Sequence, residues 1–410
     1  MTTRSAASRR CPVEPFSDEF LRDPHPTYDV LREDEPVCPV IMPTGERVWL
    51  VTKYSDVMRG LADPRLSNVQ RRMNIVRPYS NMPAGVEPEI ITDLLNVDPP
   101  SHGRLRRVIA DLFTAPKAEA FRGHLQTLCD ELLDTLTDRG VIDVIGDYAA
   151  PFASTATADL LGVPRAEHER FRKWGNEIAS VILKTQGEDL TRPATDLHGF
   201  VQDLINGKRN APDDDVLTHL TQAFDEQVLD WDELSSMVHL LLIAGQEGPV
   251  NLIGNGVQLL LRNPDQLALL RANPELMAGA VDEMLRLEAP LGLAIYRSSP
   301  EPITFSGATI PADEPILFSL LSSGHDATQF DEPDRFDIQR RGRPHLGLGW
   351  GRHFCLGASL GRLEGQIAIG ALVNRFPDLS LAVPAEQLDW RPSVITRGLV
   401  ALPVALYGGA

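Results

Sequence analysis

The sequence has no long apolar run, no paired cysteine spacing and no excess of positive charge. No stretch approaches the roughly 20 consecutive apolar residues that a membrane-spanning helix needs, and the polar first ten residues do not resemble a signal peptide. The cysteines lie far apart, at positions 11, 38, 129 and 355, which indicates neither a zinc site nor a disulfide framework. Lysine and arginine number 39 against 57 aspartates and glutamates, which disfavours nucleic-acid binding. We therefore expect a cytoplasmic protein with no membrane anchor and no nucleic-acid partner.

The chain has 410 residues, 43% of them hydrophobic, and is long enough to bury a large core. No linker-like stretch divides it, so we expect a single domain over residues 1–410. Residues 1–35 are rich in proline and charge, and they predict an irregular N-terminal arm that leads to a short helix near 26–33. Residues 67–97 show no clear periodicity, and a stretch of this length is either a functional lid or a disordered surface loop.

A glycine-dense loop at 347–351 leads to a single cysteine, Cys355. Glycine permits backbone with positive φ and a close approach to a flat partner, which side chains would block. The apolar residues after the cysteine recur at helical spacing and are Leu356, Leu360, Leu363 and Ile367. Cys355 is therefore predicted at a helix N-terminus, where the positive dipole end favours a thiolate, the form of cysteine that ligates metals. The alternative is an ordinary buried cysteine behind a glycine-rich turn.

A long helix is predicted over residues 231–262, since Asp230 and Glu233 form a capping box before an apolar stretch. Residues 245–249 break helix rules in its middle, because interior glycine and proline cost about 1 and about 3 kcal/mol relative to alanine. Pro249 has no N–H, so the carbonyl of Gly245 loses its partner four residues on. The segment is either a site that could hold water beside an acid or a packing kink.

Two further pairs have the spacing of helical neighbours. His102 and Arg106 lie four apart on one helical face and form a donor pair suited to a carboxylate. Glu283 falls on the apolar stripe of another predicted helix, where a buried carboxylate needs a partner, and Arg286 lies three residues on. By itself, the first pair is better explained by a solvated basic face. The second pair is explained by a structural ion pair.

Together these segments resemble the cytochromes P450, in which a Phe-Gly-x-Gly-x-His-x-Cys-x-Gly loop supplies the axial thiolate of the haem iron. The positions that match are Gly349, Gly351, His353, Cys355 and Gly357, with Leu348 in place of the phenylalanine. The resemblance implies a mainly α fold with a small β subdomain, a triangular prism that holds haem b between the long central helix and the helix after the cysteine. It implies the soluble bacterial class, with Cys355 as metal ligand.

The resemblance also assigns other residues. It implies cofactor contacts by the glycine loop (Leu348, Gly349, Gly351 and His353) and by propionate ligands, namely His102, Arg106, Arg297 and His345. It implies a structural triad of Glu283, Arg286 and Arg335. It implies a substrate lid at 67–97 and a pocket lined by Ala244, Pro290, Leu291, Leu293, Ile295 and Ile395.

The family's central helix carries Ala-Gly-x-Glu/Asp-Thr-Thr, where the acid and the first threonine deliver protons. Gly245 and Glu247 match, but Gly248 stands in place of that threonine and offers no hydroxyl. The resemblance implies a monooxygenase that inserts one oxygen atom from O2 into a hydrophobic small molecule, as a hydroxylase or epoxidase tailoring a secondary metabolite. It implies a monomer that receives electrons from a ferredoxin and its reductase. Because of Gly248, oxidative coupling, ring closure or peroxide-driven oxidation is the first alternative, and a non-catalytic haem-binding sensor is the second.

Overall fold

The computed structural model describes residues 11, 16–43, 45–69, 88–173, 191–342 and 344–408, without the side chains of 191–194. Most of the lid predicted at 67–97 and the first part of the arm predicted at 1–35 lie outside these residues. Within them the helices are α1 Asp18–Arg22, α2 His25–Asp34, α3 Tyr54–Ala62, α4 Pro88–Ile91, α5 Ser101–Ile109, α6 Ala115–Ala120, α7 Arg122–Asp134, α8 Ala150–Leu161, α9 Thr191–Asn210, α10 Val216–Asp225, α11 Trp231–Arg262, α12 Pro264–Ala272, α13 Met277–Leu287, α14 Leu320–Gly324 and α15 Ala358–Arg375.

The strands of the described residues are short and form small sheets. They are β1 Val37–Ile41, β2 Arg47–Val51, β3 Val141–Asp143, β4 Ile303–Phe305, β5 Ala308–Ile310, β6 Ile316–Phe318, β7 Ser380–Leu381 and β8 Pro403–Ala405. One sheet has the order β1-β2-β6, a second the order β3-β8-β7, and β4 pairs with β5. The β1-β2 hairpin joins Val37 to Val51 in antiparallel register, and β6 runs parallel to β2.

Helix α11 is the long central helix, and its first turn confirms the predicted cap. The Asp230 carboxylate accepts from the Glu233 N–H at 2.9 Å, and the Glu233 carboxylate accepts from the Asp230 N–H at 3.1 Å. The helix continues through Pro249 without interruption. It packs closely on α15, because a Cβ on Gly256 would lie 2.6 Å from the Ile369 side chain. A larger residue at 256 would require the Ile369 side chain to move.

The described part of the N-terminal arm, residues 16–35, contains two short helices. The short helix expected near 26–33 is present as α2, but α1 was not expected. The arm packs through Phe20 and Tyr28 into a cluster with strand β1. The Arg397 guanidinium donates to the carbonyl of Leu21 at 3.0 Å and lies 3.3 Å from the ring centroid of Trp390. Residues near the two ends of the chain therefore hold each other in place.

Candidate functional site

The loop before α15 places Cys355 at the mouth of that helix. Gly349 and Gly351 have φ values of 77° and 74°, and a Cβ on Gly351 would lie 2.7 Å from the Leu61 carbonyl. Both glycines are therefore required by backbone conformation, and Gly351 also by a close approach. The Cys355 N–H donates to the Leu348 carbonyl at 3.0 Å, which closes the turn.

Cys355 is accessible to solvent, although many protein atoms lie near its thiol. Burial raises the pKa of its thiol, whereas the Gly357 N–H and the charge of Arg106 lower the pKa. The protein alone therefore does not make Cys355 a strong acid. Coordination of a metal ion would supply the missing stabilisation of the thiolate.

Three cationic or potentially cationic side chains cluster beside this loop. The His102 and His353 rings have centroids 4.3 Å apart, and Arg297 is 3% exposed. His102 Nε2, both His353 ring nitrogens and Arg297 Nε are buried without a hydrogen-bond partner. Burial and the charge of Arg297 lower the pKa of His353 to about 2, and burial and the charge of Arg352 lower the pKa of Arg297 to about 10. Since an unpaired buried donor costs about 1–3 kcal/mol, the cluster fits a ligand that carries carboxylates.

Arg106 reaches the loop itself. Its guanidinium donates to the carbonyls of Arg352 and Phe354 at 3.2 and 2.9 Å. Its charge also contributes to the lowered pKa of His102, after the larger effect of burial. Arg106 therefore holds the backbone on both sides of His353 and adds positive potential to the cluster.

His345, also predicted as a propionate ligand, is bonded to residues outside this cluster. Its Nδ1 accepts from the Gly347 N–H at 3.1 Å, so the proton is on Nε2, which lies 3.3 Å from the Asp282 carboxylate. Both ring nitrogens are used, and no donor remains for a propionate. His345 instead fixes the start of the glycine loop against α13.

The predicted triad is also corrected. The Arg286 guanidinium donates to Glu283 at 2.7 and 2.8 Å, as expected. The third arginine, however, is Arg340, whose Nε lies 3.0 Å from Glu283 Oε1. The Arg335 side chain is 58% exposed and pairs with Glu332, and only its backbone carbonyl contacts Arg286. The backbone turns at Glu332, where φ is 43°, and this directs Arg335 outward.

The Gly245 carbonyl, which Pro249 leaves without an N–H partner, is bonded by a side chain instead. The hydroxyl of Thr157 on α8 donates to it at 2.8 Å. A Cβ on Gly245 would lie 2.7 Å from Thr157 Oγ1, so glycine is required for this contact. Sequence reasoning missed Thr157, because the two residues lie 88 positions apart and no local pattern connects them.

Gly248 is bordered by open space, since a Cβ built there meets no atom within 4 Å. Its neighbour Glu247 accepts hydrogen bonds on Oε1 from Asn251 at 3.2 Å and from Arg391 at 3.3 Å. Ala244, one turn earlier, is exposed although it lies in the middle of α11. The middle of the helix thus faces a space with an acid at its side and no hydroxyl at position 248.

The predicted pocket residues divide into two groups. Ala244 and Leu291 are exposed, and Ile295 and Ile395 are partly exposed. Leu293 is 0% exposed and packs in a core cluster, so it does not line a pocket, and Pro290 is likewise buried. The Ile395 carbonyl accepts from the Gly292 N–H at 2.8 Å, which joins the turn at 391–398 to residues 290–293.

Comparison with known proteins agrees with this arrangement. The family model Cytochrome P450 matches residues 165–381. Cytochrome P450 107B1 of Saccharopolyspora erythraea is 40% identical over 95% of this chain and 96% of its own length. The 6-deoxyerythronolide B hydroxylase of the same organism is 38% identical over 96% and 98%.

The fold leads to the same family. The solved structure of the tirandamycin C-bound P450 monooxygenase TamI has a TM-score of 0.90 and 36% identity, covering 96% of this chain and all of that one. This confirms the mainly α fold with small sheets. Among the helices of the described residues, none has the length and apolar character to cross a membrane. The chain is a member of the cytochrome P450 family, a monooxygenase whose cofactor is haem iron.

Proposed function

We propose that this P450 hydroxylates or epoxidises a hydrophobic secondary metabolite. The observation that carries the proposal is the pairing of two features, the Cys355 loop with its unpaired cationic cluster and the open space beside Gly248 on α11. The first feature suits a haem, and the second leaves room for a substrate next to it. The name of 6-deoxyerythronolide B hydroxylase, a relative along nearly the whole chain, supports tailoring of this kind.

Haem b fits the residues of the site. Cys355 would ligate the iron, and His102, His353 and Arg297 would hold the propionates, which pairs the buried donors that lack partners. When bound, the haem supplies the activation of dioxygen with two electrons, here proposed to come from a ferredoxin and its reductase. Gly349 and Gly351 allow the positive-φ turn that would present Cys355 to the iron. The proposed working unit is a monomer.

Proton handling falls to Glu247. Its carboxyl lies one residue from the position where the family has threonine, and Gly248 supplies no hydroxyl there. We place a water or a substrate hydroxyl in the space beside Gly248, within reach of a proton from Glu247. The substrate would then complete its own proton path, so substrates without a suitably placed polar group would be oxidised less efficiently.

The test is a spectral titration of the ferric holoprotein against natural products, followed by product analysis with O2 and electron donors. A spin-state shift and a product one oxygen atom heavier are expected. Cys355→Ala should abolish the thiolate-type spectrum of the reduced carbon monoxide complex. The control is Cys129→Ala, at a buried cysteine that accepts a hydrogen bond from the Tyr148 hydroxyl, and it should retain the spectrum. A thiolate-type spectrum in Cys355→Ala would refute the ligand assignment.

A second candidate follows from Gly248 alone. An oxidation that needs less orderly proton delivery, such as oxidative coupling, ring closure or a peroxide-driven reaction, does not require the missing threonine. Under this candidate the product gains no oxygen atom, or forms with hydrogen peroxide as readily as with O2 and electron donors. Mass analysis of the product under the two conditions separates the candidates.

A further inference from the structure

Glu247 is held by two side chains, and one of them comes from a distant segment. Asn251, one turn further along α11, and Arg391 both donate to Glu247 Oε1, at 3.2 and 3.3 Å. The Glu247 and Arg391 side chains are 22% and 15% exposed. An ion pair this sheltered is screened less than one at the surface. Both donors bind the same carboxylate oxygen, so together they fix the direction in which the Glu247 side chain points.

The segment that carries Arg391 is a tight turn pressed against α11. The Arg391 N–H donates to the Gly398 carbonyl at 2.9 Å, and its Nε donates to the Leu399 carbonyl at 3.1 Å. A Cβ on Gly398 would collide with the Asn251 side chain. Arg391 is thus fixed at its backbone and at its guanidinium, and the same turn limits where Asn251 can go.

The other side of this turn is joined to residues 290–293, which include predicted pocket residues. The Ile395 carbonyl accepts from Gly292 and Leu293 at 2.8 and 3.2 Å, and the Arg397 N–H donates to the Pro290 carbonyl at 2.9 Å. Leu291, between these bonds, is 39% exposed. The turn at 391–398 therefore connects the wall of the proposed pocket with the acid on α11.

We propose that Arg391 is a positioning residue for the P450 reaction, which acts by orienting the Glu247 carboxylate that passes protons to the space beside Gly248. The inference rests on the proposed function, since it assigns Glu247 to proton delivery. Arg391 orients the carboxylate in a site where Gly248 supplies no hydroxyl. Loss of Arg391 should therefore slow turnover and divert electrons to peroxide while substrate binding is retained.

The experiment compares Arg391→Gln, Arg391→Lys, Glu247→Gln and the double variant Arg391→Gln/Glu247→Gln in the holoprotein. We expect Arg391→Gln to lower kcat about tenfold and to raise peroxide release, with the substrate Kd within about twofold of wild type. Arg391→Lys should recover part of kcat, because it retains a cation. The double variant should be no slower than Glu247→Gln alone, since Arg391 acts through Glu247.

A thermal unfolding cycle over the same four proteins provides a readout that needs no substrate. Arg391→Gln should lower Tm in the wild type and much less in the Glu247→Gln background. Arg375→Gln, at an exposed ion pair with Asp134, is the control and should leave kcat unchanged. Additive losses of kcat, or a zero coupling in the thermal cycle, would overturn the proposal. If wild type forms no product with any substrate, the proposed function fails, and the thermal cycle still decides whether Arg391 orients Glu247.

Discussion

At the scale of single residues, the two glycines in the middle of α11 have opposite surroundings. A Cβ on Gly248 meets open space, whereas a Cβ on Gly245 collides with Thr157. We propose that the first position is small to leave room for a water or a substrate hydroxyl. The second is small because the helix would otherwise not reach its neighbour α8.

This contrast predicts different outcomes for two substitutions. Gly248→Thr should change the free energy of unfolding by less than about 1 kcal/mol, because it creates no clash. Gly245→Ala should destabilise by about 1–3 kcal/mol, because it displaces the Thr157 hydroxyl from an otherwise unpartnered carbonyl. Denaturant unfolding of both variants measures the difference. Equal destabilisation would show that the space beside Gly248 is filled by protein in solution.

At the scale of elements, the buried ion network between α13 and residues 332–340 includes Arg340. Arg340→Leu removes one of three donors to the buried Glu283 Oε1, which keeps its bonds from the Arg286 guanidinium and the Asp337 N–H. The change should cost about 1.5–3 kcal/mol, the range for a hydrogen bond to a charged group, with reduced haem content after expression. Arg335→Leu removes an exposed pair and should cost less than about 1 kcal/mol. Unfolding curves and the haem-to-protein absorbance ratio measure both effects. Greater damage from Arg335→Leu would restore the assignment made from the sequence.

A second prediction at this scale concerns the contact between α9 and α11. His239 is 1% exposed, stacks on His198 with ring centroids 5.6 Å apart, and burial lowers its pKa to about 4. Nearby Glu89 lies 3.6 Å from the His198 ring. The folded protein keeps His239 neutral while the unfolded chain takes up a proton below pH 6.5. Its contribution to stability is therefore complete above pH 6.5 and is lost as pH falls towards 4.

The measurement is unfolding free energy against pH for wild type and His239→Gln. Wild type should lose stability below pH 6.5 with an additional slope of up to about 1.4 kcal/mol per pH unit relative to the variant. The comparison isolates His239, since other titrating groups are common to both proteins. Parallel curves would show that His239 is protonated in the folded state.

These elements also show which parts of the molecule were readable from sequence. The capping box of α11 and the positive φ of the glycine loop were predicted correctly because each depends on residues within a few positions of one another. The sequence did not distinguish Arg335 from Arg340, because the local turn at Glu332 decides which of them faces inward. The Thr157 contact and the Arg391 ion pair join residues 88 and 144 positions apart, and a single sequence carries no signal for either.

At the scale of the whole molecule, the cationic cluster links stability to cofactor loading. Arg297 is buried with an unpartnered Nε, and burial lowers its pKa to about 10. We expect Arg297→Leu to leave the apoprotein as stable as wild type or more stable, since a buried cation is removed. The same change should lower Tm of the haem-loaded protein, because a propionate loses its partner. Thermal melts of both forms test this reversal of sign. Equal destabilisation of both forms would mean that Arg297 serves the fold alone.

The contact of Arg397 with the carbonyls of Leu21 and Arg22 spans almost the entire chain. During synthesis the N-terminal arm leaves the ribosome long before Arg397 is made, so its partner is absent for most of that time. Residues 290–293 and Glu247 likewise lack their partners in the turn at 391–398 until that turn has been synthesised. A ribosome stalled shortly before position 391 would therefore hold a nascent chain with Cys355 already made but the distal half of the site unfinished, and productive haem capture would follow release of the completed chain.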